Sequence, residues 1–202
     1  MTGYKKKLIT ILLISLLMIF IIKPAVAQTL VDISSSSATL MDAGTGTILF
    51  EKNPHEKMEP ASITKIMTLI IAFEAIESGK VNLSDIVRVS ERAWKTGGSQ
   101  VFLGPGEEQT LETLLKCIVI SSANDASMAV AEYIGGSVEG FVKLMNDKAK
   151  ELGMKNTHFT NPHGLSDPDH YTTAYDIALM SRELVKYPIF FKWSTIWMDY
   201  LE

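Results

Sequence analysis

The sequence predicts a fold of the α+β class, in which an antiparallel sheet is flanked by helices and joined by a helical subdomain. Three observations predict it: two strand-like runs around a glycine turn come first, a strongly apolar helix follows, and helical segments fill most of the remainder. Strands and helices that segregate along the chain are typical of this class. Because a lone hairpin is marginally stable and covers little of an apolar helix, we expect the strands that complete the sheet to be missing from this chain.

Residues 1–27 have the pattern of a cleavable signal peptide. Lys5 to Lys7 precede an apolar stretch from Leu8 to Ile22, and Ala25-Val26-Ala27 matches a cleavage site. The stretch is shorter than the roughly 20 apolar residues that span a bilayer comfortably, and a retained membrane anchor is the alternative. In either case, the sequence predicts an exported protein whose residues 28–202 work outside the cytoplasm.

The charge balance limits the partners of the exported part. Without the signal, 15 basic residues remain against 23 acidic ones, a net charge of −8. An acidic domain is a poor candidate for binding nucleic acid or an anionic membrane surface. Cys117 is the single cysteine, so no internal disulfide can form, and its apolar neighbours predict a place in the core.

The first elements are a hairpin and a buried helix. Residues 37–53, SATLMDAGTGTILFEKN, form two strand-like runs around a Gly-Thr-Gly turn, which predicts two paired strands. Residues 62–80, SITKIMTLIIAFEAIESGK, place isoleucine and methionine at helical spacing before a glycine stop. This helix is apolar enough to lie at the centre of the domain.

Helical patterning dominates the rest of the chain. Residues 81–109 are polar and punctuated by glycine, so we expect small elements and turns at the surface. Four segments then have helical patterning: 110–120, 126–136, 138–154 and 174–188. Before the last of them, residues 156–173 are rich in Asn, Pro, Asp and His and predict a loop. The aromatic tail, 190–202, is compatible with a helix or a short strand.

Ser62 and Lys65 are a candidate catalytic pair. Residues three apart on a helix share a face, and Pro60 favours a helix start, where unpaired N–H groups stabilise an anion. A serine needs a base to become a nucleophile, and burial among apolar side chains lowers the pKa of a lysine towards neutrality. The alternative is an ordinary serine cap followed by a lysine in solvent, because Ser-x-x-Lys often occurs by chance.

Ser122 and Asn124 form a second candidate motif. The run ISSANDA places Ser122-Ala123-Asn124 in a turn between two apolar helices. There the hydroxyl can relay a proton, and the amide can hold a substrate or the lysine. An ordinary helix cap explains this run alone equally well.

These two motifs, in this order, resemble those of the penicillin-binding D-alanyl-D-alanine carboxypeptidases, exported serine enzymes that trim peptidoglycan stem peptides. The resemblance covers roughly residues 35–187 and extends well beyond the motifs. It rests on the following runs: ATLMDAGTGTILFEKN, PASITKIMT, ISSANDASMAVAEYIGGS, FVKLMNDKAKELGMKNTHFTNPHGL and TTAYDIALMSREL. It implies a β-lactamase/DD-peptidase-like fold, of which residues 28–202 are the N-terminal and helical part.

The resemblance also implies a role for each site residue. Ser62 is expected to attack the peptide carbonyl of a terminal D-Ala-D-Ala, with Lys65 as its general base. Ser122 is expected to be catalytic and Asn124 to bind substrate. The implied partners are a stem peptide ending in D-Ala-D-Ala and, as covalent inhibitors, β-lactam antibiotics. Neither a metal nor an organic cofactor is implied.

One family motif departs from its expected place. A Lys-Thr-Gly on a sheet strand should follow the helical region, whereas Lys95-Thr96-Gly97 lies between the first two motifs, in a predicted loop. By the resemblance, the missing strand would take an oxyanion-hole donor with it, and losing one such donor typically costs about 10² to 10³ in rate. We therefore expect a truncated chain with little or no turnover, and we expect it to lack the C-terminal membrane anchor common in the family.

Three alternatives remain from the sequence. His158, His163 and His170 suggest a metal site, although their spacing in one loop is irregular. A β-lactamase shares the serine-lysine core, but no Glu-x-x-Leu-Asn follows the second motif. The third alternative is a non-catalytic exported module that binds cell-wall peptide without cutting it.

Overall fold

The computed structural model describes residues 3–4 and 33–200. The predicted signal peptide lies outside the described residues, apart from Gly3 and Tyr4. The chain divides into two compact units, Met1–Ser34 and Ser35–Glu202, and the fold below is that of the second unit. Within the described ranges, no helix has both the length and the apolar character needed to cross a bilayer.

The predicted hairpin is confirmed. Strands β1 (Ala38–Met41) and β2 (Ile48–Lys52) pair antiparallel, with one irregularity in register at Leu40/Met41. The Asp42 carboxylate accepts hydrogen bonds from the backbone N–H and the hydroxyl of Thr45, both at 2.7 Å, and thereby closes the turn. Short polar side chains that bond to the backbone in this way are typical of turns.

The predicted central helix is also confirmed, but its first turn is tighter than expected. A 3-10 helix spans Ala61–Thr64, and α1 follows from Lys65 to Glu77. Nine of the 13 residues of α1 are buried, including Met67, Ile70 and Phe73. Phe73 packs against Tyr187 and Trp193, with ring centroids 5.2 and 5.9 Å away. Helices therefore cover much of α1.

The prediction for residues 81–109 is right about small elements and turns, but wrong in placing the whole segment at the surface. The segment forms a second antiparallel pair, β3 (Ile86–Arg88) and β4 (Glu108–Thr110), with the short helix α2 (Glu91–Trp94) between them. Several of its apolar side chains, namely Val87, Val89, Ala93 and Leu103, are buried in the core, whereas others, such as Phe102, are exposed. The sequence did not reveal the buried ones, because its apolar runs here are short and are separated by polar residues and glycines, which leaves no long periodic pattern.

Five further helices follow in the described part of the unit. They are α3 (Leu111–Ser121), α4 (Asn124–Gly135), α5 (Val138–Glu151), α6 (Ala174–Leu184) and α7 (Pro188–Ser194). Thr110, Ser137 and Thr173 cap α3, α5 and α6 through their hydroxyls, as expected for helix N-termini. Cys117 is buried, as predicted, and the aromatic tail begins as a helix.

Candidate active site

Ser62 and Lys65 meet at the start of the central helix. Ser62 lies in the exposed 3-10 turn, and Lys65 is the first residue of α1, with only 4% of its surface exposed. The Lys65 Nζ lies 3.3 Å from the Ser62 Oγ. The tight turn thus places an accessible hydroxyl beside a buried amine.

The surroundings of Lys65 favour its neutral form. Desolvation by burial lowers the pKa of Lys65 from 10.5 to about 8. The Nζ also donates a 2.9 Å hydrogen bond to the backbone carbonyl of His163. A neutral amine has two N–H donors and one lone pair, so this bond restricts the directions in which the lone pair can point. An amine in this state can accept the Ser62 proton.

The backbone before Ser62 is strained and is held by a glycine. Ala61 has φ +47°, in the left-handed region that non-glycine residues rarely adopt. Gly164, with φ +90°, packs directly against it, and a Cβ at this position would overlap the Ala61 carbonyl oxygen. This close approach requires glycine at position 164.

One loop contacts this helix start through several hydrogen bonds. We call residues 158–171 the histidine loop; a backbone bridge between His158 and Tyr171 closes it. Besides the His163 carbonyl on Lys65, the Thr68 hydroxyl donates to the Pro162 carbonyl at 2.6 Å. The Thr64 Oγ1 lies 2.7 Å from the His170 Nε2. Sequence reasoning assigned this loop no part in the site.

The second motif lies between α3 and α4, as predicted. Ser122 ends α3 in the left-handed conformation, with φ 53°, and is half-buried. Across residues 33–200 its hydroxyl forms no hydrogen bond, and therefore none to Ser62 or Lys65. Asn124 begins α4 and is buried; its Nδ2 donates to the Gly97 carbonyl at 2.7 Å, while its Oδ1 has no partner within the described part of the chain.

The histidine loop also approaches the second motif. Gly98, with φ +81°, leaves so little space that a Cβ there would press on the Asn124 Nδ2 and touch the Leu165 Cδ2. Leu165 is two residues from His163, whose carbonyl binds Lys65. The structure therefore connects both motifs to the same loop without a direct hydrogen bond between them.

Lys95-Thr96-Gly97 follows α2 in a turn and an irregular segment, as predicted, and lies on no strand. Its contribution is structural: the Gly97 carbonyl orients the Asn124 amide, and the Ser99 carbonyl accepts the backbone N–H of Asn124 at 2.7 Å. The sequence contained this signal only as the adjacent glycines 97 and 98, which mark a loop but do not reveal its partner.

The histidines suggested as metal ligands are engaged otherwise. The Nδ1 of His163 accepts the backbone N–H of Leu165 at 3.1 Å, and the Nδ1 of His170 accepts that of Thr160 at 3.0 Å. His158 is exposed and bonds through Nδ1 to the Asp169 carbonyl oxygen at 2.7 Å. Among the residues that the structure describes, no three His, Cys, Asp or Glu side chains are grouped to hold a metal ion.

Comparison with protein families identifies the chain's relatives. The family model described as Peptidase_S11, D-alanyl-D-alanine carboxypeptidase, matches residues 23–202. The chain belongs to this family. The resemblance inferred from the two motifs is thus confirmed, and so is the fold class, because the solved structures that the chain resembles are DD-peptidases and penicillin-binding proteins.

Two curated members of the Peptidase_S11 family show the extent of the similarity. The chain is 53% identical over 167 residues to D-alanyl-D-alanine carboxypeptidase DacF of Bacillus subtilis, covering 83% of this chain and 43% of the relative. It is 45% identical over 152 residues to D-alanyl-D-alanine carboxypeptidase DacC of Escherichia coli, covering 72% of this chain and 38% of the relative. The chain therefore spans about two fifths of the length of these relatives.

Solved structures of the family agree with the fold. The D-alanyl-D-alanine carboxypeptidase DacD of Francisella tularensis superposes with a TM-score of 0.78 at 39% identity, over 81% of this chain and 40% of that structure. Penicillin binding protein 6B of Escherichia coli superposes with a TM-score of 0.77 at 38% identity, over 80% of this chain and 53% of that structure.

Proposed function

We propose that this chain carries the acylation site of an exported serine-type D-Ala-D-Ala carboxypeptidase. Ser62 is the nucleophile, Lys65 its general base, Ser122 a proton relay and Asn124 a substrate-binding residue. Family membership supports the reaction class, and the names of the relatives support the substrate. The proposal needs neither a metal nor an organic cofactor.

The observation that carries the proposal is the pairing of Lys65 with Ser62. A lysine with its ordinary pKa of 10.5 has about one free amine in 3,000 at pH 7, whereas a pKa of about 8 gives roughly one in ten. That amine lies 3.3 Å from the serine hydroxyl. Lys65 is therefore both close to the Ser62 hydroxyl and basic enough to accept its proton, as nucleophilic catalysis by serine requires.

The proposed reaction has two stages. As the Ser62 Oγ bonds to the penultimate D-alanine carbonyl carbon, its proton passes to the Lys65 Nζ. The C–N bond to the terminal D-alanine then breaks, and the leaving amine takes up a proton, which Ser122 can relay. Water afterwards hydrolyses the ester on Ser62 and restores the hydroxyl. Each stage returns Lys65 to its neutral form.

The unpartnered Asn124 Oδ1 favours a role in substrate binding. A buried amide oxygen without a hydrogen bond costs about 1–3 kcal/mol of desolvation, which a ligand N–H can recover. The peptide N–H groups of a stem peptide ending in D-Ala-D-Ala provide such donors. Similar structures include penicillin binding protein 5 of Haemophilus influenzae, so β-lactams are the expected covalent inhibitors of Ser62.

Intact-mass spectrometry after incubation with benzylpenicillin tests the proposal. We expect one drug-mass adduct on the purified 202-residue chain, and none on Ser62→Ala. Lys65→Arg should slow adduct formation by about 10² to 10⁴, because a guanidinium stays protonated and cannot act as a base. Lys143→Arg, an exposed lysine on α5, is the matched control and should react like the unmodified chain.

The controls also separate the alternative functions. A folded chain that forms no adduct yet binds peptidoglycan equally well with Ser62→Ala would show a non-catalytic cell-wall module. Many turnovers of a chromogenic cephalosporin per molecule would show a β-lactamase. An adduct that survives Ser62→Ala would contradict the assignment of the nucleophile.

A further inference from the structure

The start of the central helix is fastened to the histidine loop through three side chains. Thr64, Lys65 and Thr68 bond respectively to the His170 ring, the His163 carbonyl and the Pro162 carbonyl. Only the middle bond involves a residue with a proposed chemical role. The outer two hold the loop on either side of it.

The His170 ring is fixed by bonds at both nitrogens. Its Nδ1 accepts the backbone N–H of Thr160 at 3.0 Å, which assigns the ring proton to Nε2. The Nε2–H then donates to the Thr64 Oγ1, 2.7 Å away. The ring is 2% exposed, and Phe159 packs edge-on against it at 5.7 Å between centroids. Water therefore has little access to this bond.

The hydrogen bond between Thr64 and His170 lies next to the proposed base, Lys65. Thr64 precedes Lys65 in the chain and is fully buried. A bond at Thr64 consequently sets the distance between the first turn of the helix and the loop that provides the His163 carbonyl. The sub-ångström placement that catalysis needs depends on such supporting contacts.

We propose that His170 and Thr64 are positioning residues for the proposed Ser62–Lys65 pair, acting through the hydrogen bond that holds the His163 carbonyl on the Lys65 amine. The inference rests on the proposed function for its catalytic consequence, but the positioning of Lys65 can be measured without any reaction. Without the bond, the loop loses one of its attachments to the helix start, so the His163 carbonyl shifts from the amine and the amine gains water.

Two substitutions at position 170 separate the two ring bonds. The amide nitrogen of His170→Gln can occupy the place of Nε2 and keep the bond to Thr64. His170→Asn reaches only the place of Nδ1, so it can accept from Thr160 but cannot reach Thr64. Thr64→Val removes the hydroxyl at nearly constant shape, and Thr64→Ser restores it. His158→Gln, at the exposed end of the same loop, is the control.

The first readout is the titration of Lys65 itself. Competitive labelling of the purified 202-residue chain with acetic anhydride over a pH series, mapped by peptide mass spectrometry, gives the labelling midpoint of this one amine. We expect a midpoint near 8 in the unmodified chain, and in His170→Gln, Thr64→Ser and His158→Gln. In His170→Asn and Thr64→Val we expect a midpoint about one unit higher, because a better hydrated amine is more easily protonated.

The second readout is the acylation rate with benzylpenicillin. One unit of pKa lowers the free-amine fraction at pH 7 about tenfold, so His170→Asn and Thr64→Val should acylate about tenfold more slowly. His170→Gln and Thr64→Ser should stay within about threefold of the unmodified chain. The same tenfold difference should shrink towards pH 10, where Lys65 is mostly neutral in every variant.

The two readouts test the positioning role and the proposed function separately. A chain that shows the midpoint shifts but forms no adduct supports the positioning role and contradicts the proposed function. Unshifted midpoints in folded His170→Asn and Thr64→Val overturn the positioning role. The same follows if His170→Gln, with equal thermal stability, behaves like His170→Asn. Should His170→Asn not fold, the Thr64→Val and Thr64→Ser pair decides by the same criteria.

Discussion

The two motifs of the site differ in how many of their polar side-chain groups have hydrogen-bond partners within the protein. Around Lys65, the amine is bonded to a serine hydroxyl and a backbone carbonyl, and the preceding and following threonines are bonded to the same loop. At the second motif, the Ser122 hydroxyl has no partner in residues 33–200, and the Asn124 Oδ1 is buried without one. In the first region the hydrogen bonds are in place before any ligand binds, whereas the second region has bonding capacity left for a ligand.

Gly164→Ala should have the largest effect, because it disturbs the backbone of the region around Lys65, whose polar side chains have hydrogen-bond partners. The new Cβ would overlap the Ala61 carbonyl and would also stand at φ +90°. We expect the free energy of unfolding to fall by about 3 kcal/mol or more, measured by chemical denaturation.

Gly79→Ala is the matched control for this prediction. Gly79 follows α1, has φ +71° and has open space around its Cβ position. It should lose only about 1 kcal/mol, the typical cost of the left-handed conformation. Equal losses at the two positions would show that conformational strain, and not the packing of the histidine loop, makes glycine necessary at 164.

The pH dependence of acylation should show the state of Lys65. Because burial lowers its pKa to about 8, the amine is mostly protonated below that pH and free above it. We expect the benzylpenicillin acylation rate to rise about tenfold per unit from pH 6 to pH 7.5 and to level above about pH 8.5. A profile still rising steeply at pH 10 would mean that Lys65 has an ordinary pKa and that its burial does not tune it.

Ser122→Ala should have the smallest effect on stability and a moderate one on the reaction. Its hydroxyl bonds to nothing in the part of the chain that the structure describes, so the free energy of unfolding should change by less than about 0.5 kcal/mol. If it relays a proton, acylation should slow by about tenfold or more.

Ser121→Ala, at an exposed neighbouring hydroxyl, controls for the Ser122 substitution. Equal acylation rates in Ser122→Ala and Ser121→Ala would remove Ser122 from the mechanism. A large loss of stability in Ser122→Ala alone would instead show a structural role for its hydroxyl, which would narrow the contrast between the two regions.

Local patterns predicted the elements that are strongly periodic. The hairpin around Gly44 and Gly46, the central helix and the four later helices all follow from spacing and turn residues. The second pair of strands did not, since Val87 and Leu103 belong to short apolar runs in a segment that is otherwise polar and rich in glycine. The 3-10 start at Ala61–Thr64 was also missed, because its geometry depends on Gly164 from another part of the chain.

The sequence by itself determined which residues could do the chemistry. Ser62 and Lys65 are close because they are three apart in one turn, a local relation that spacing reveals. Only the tertiary structure decided that the lysine is buried and that a carbonyl 98 residues away accepts its hydrogen bond. It also placed His170 against Thr64. Burial and contacts between distant segments depend on how the whole chain packs, and no local pattern encodes them.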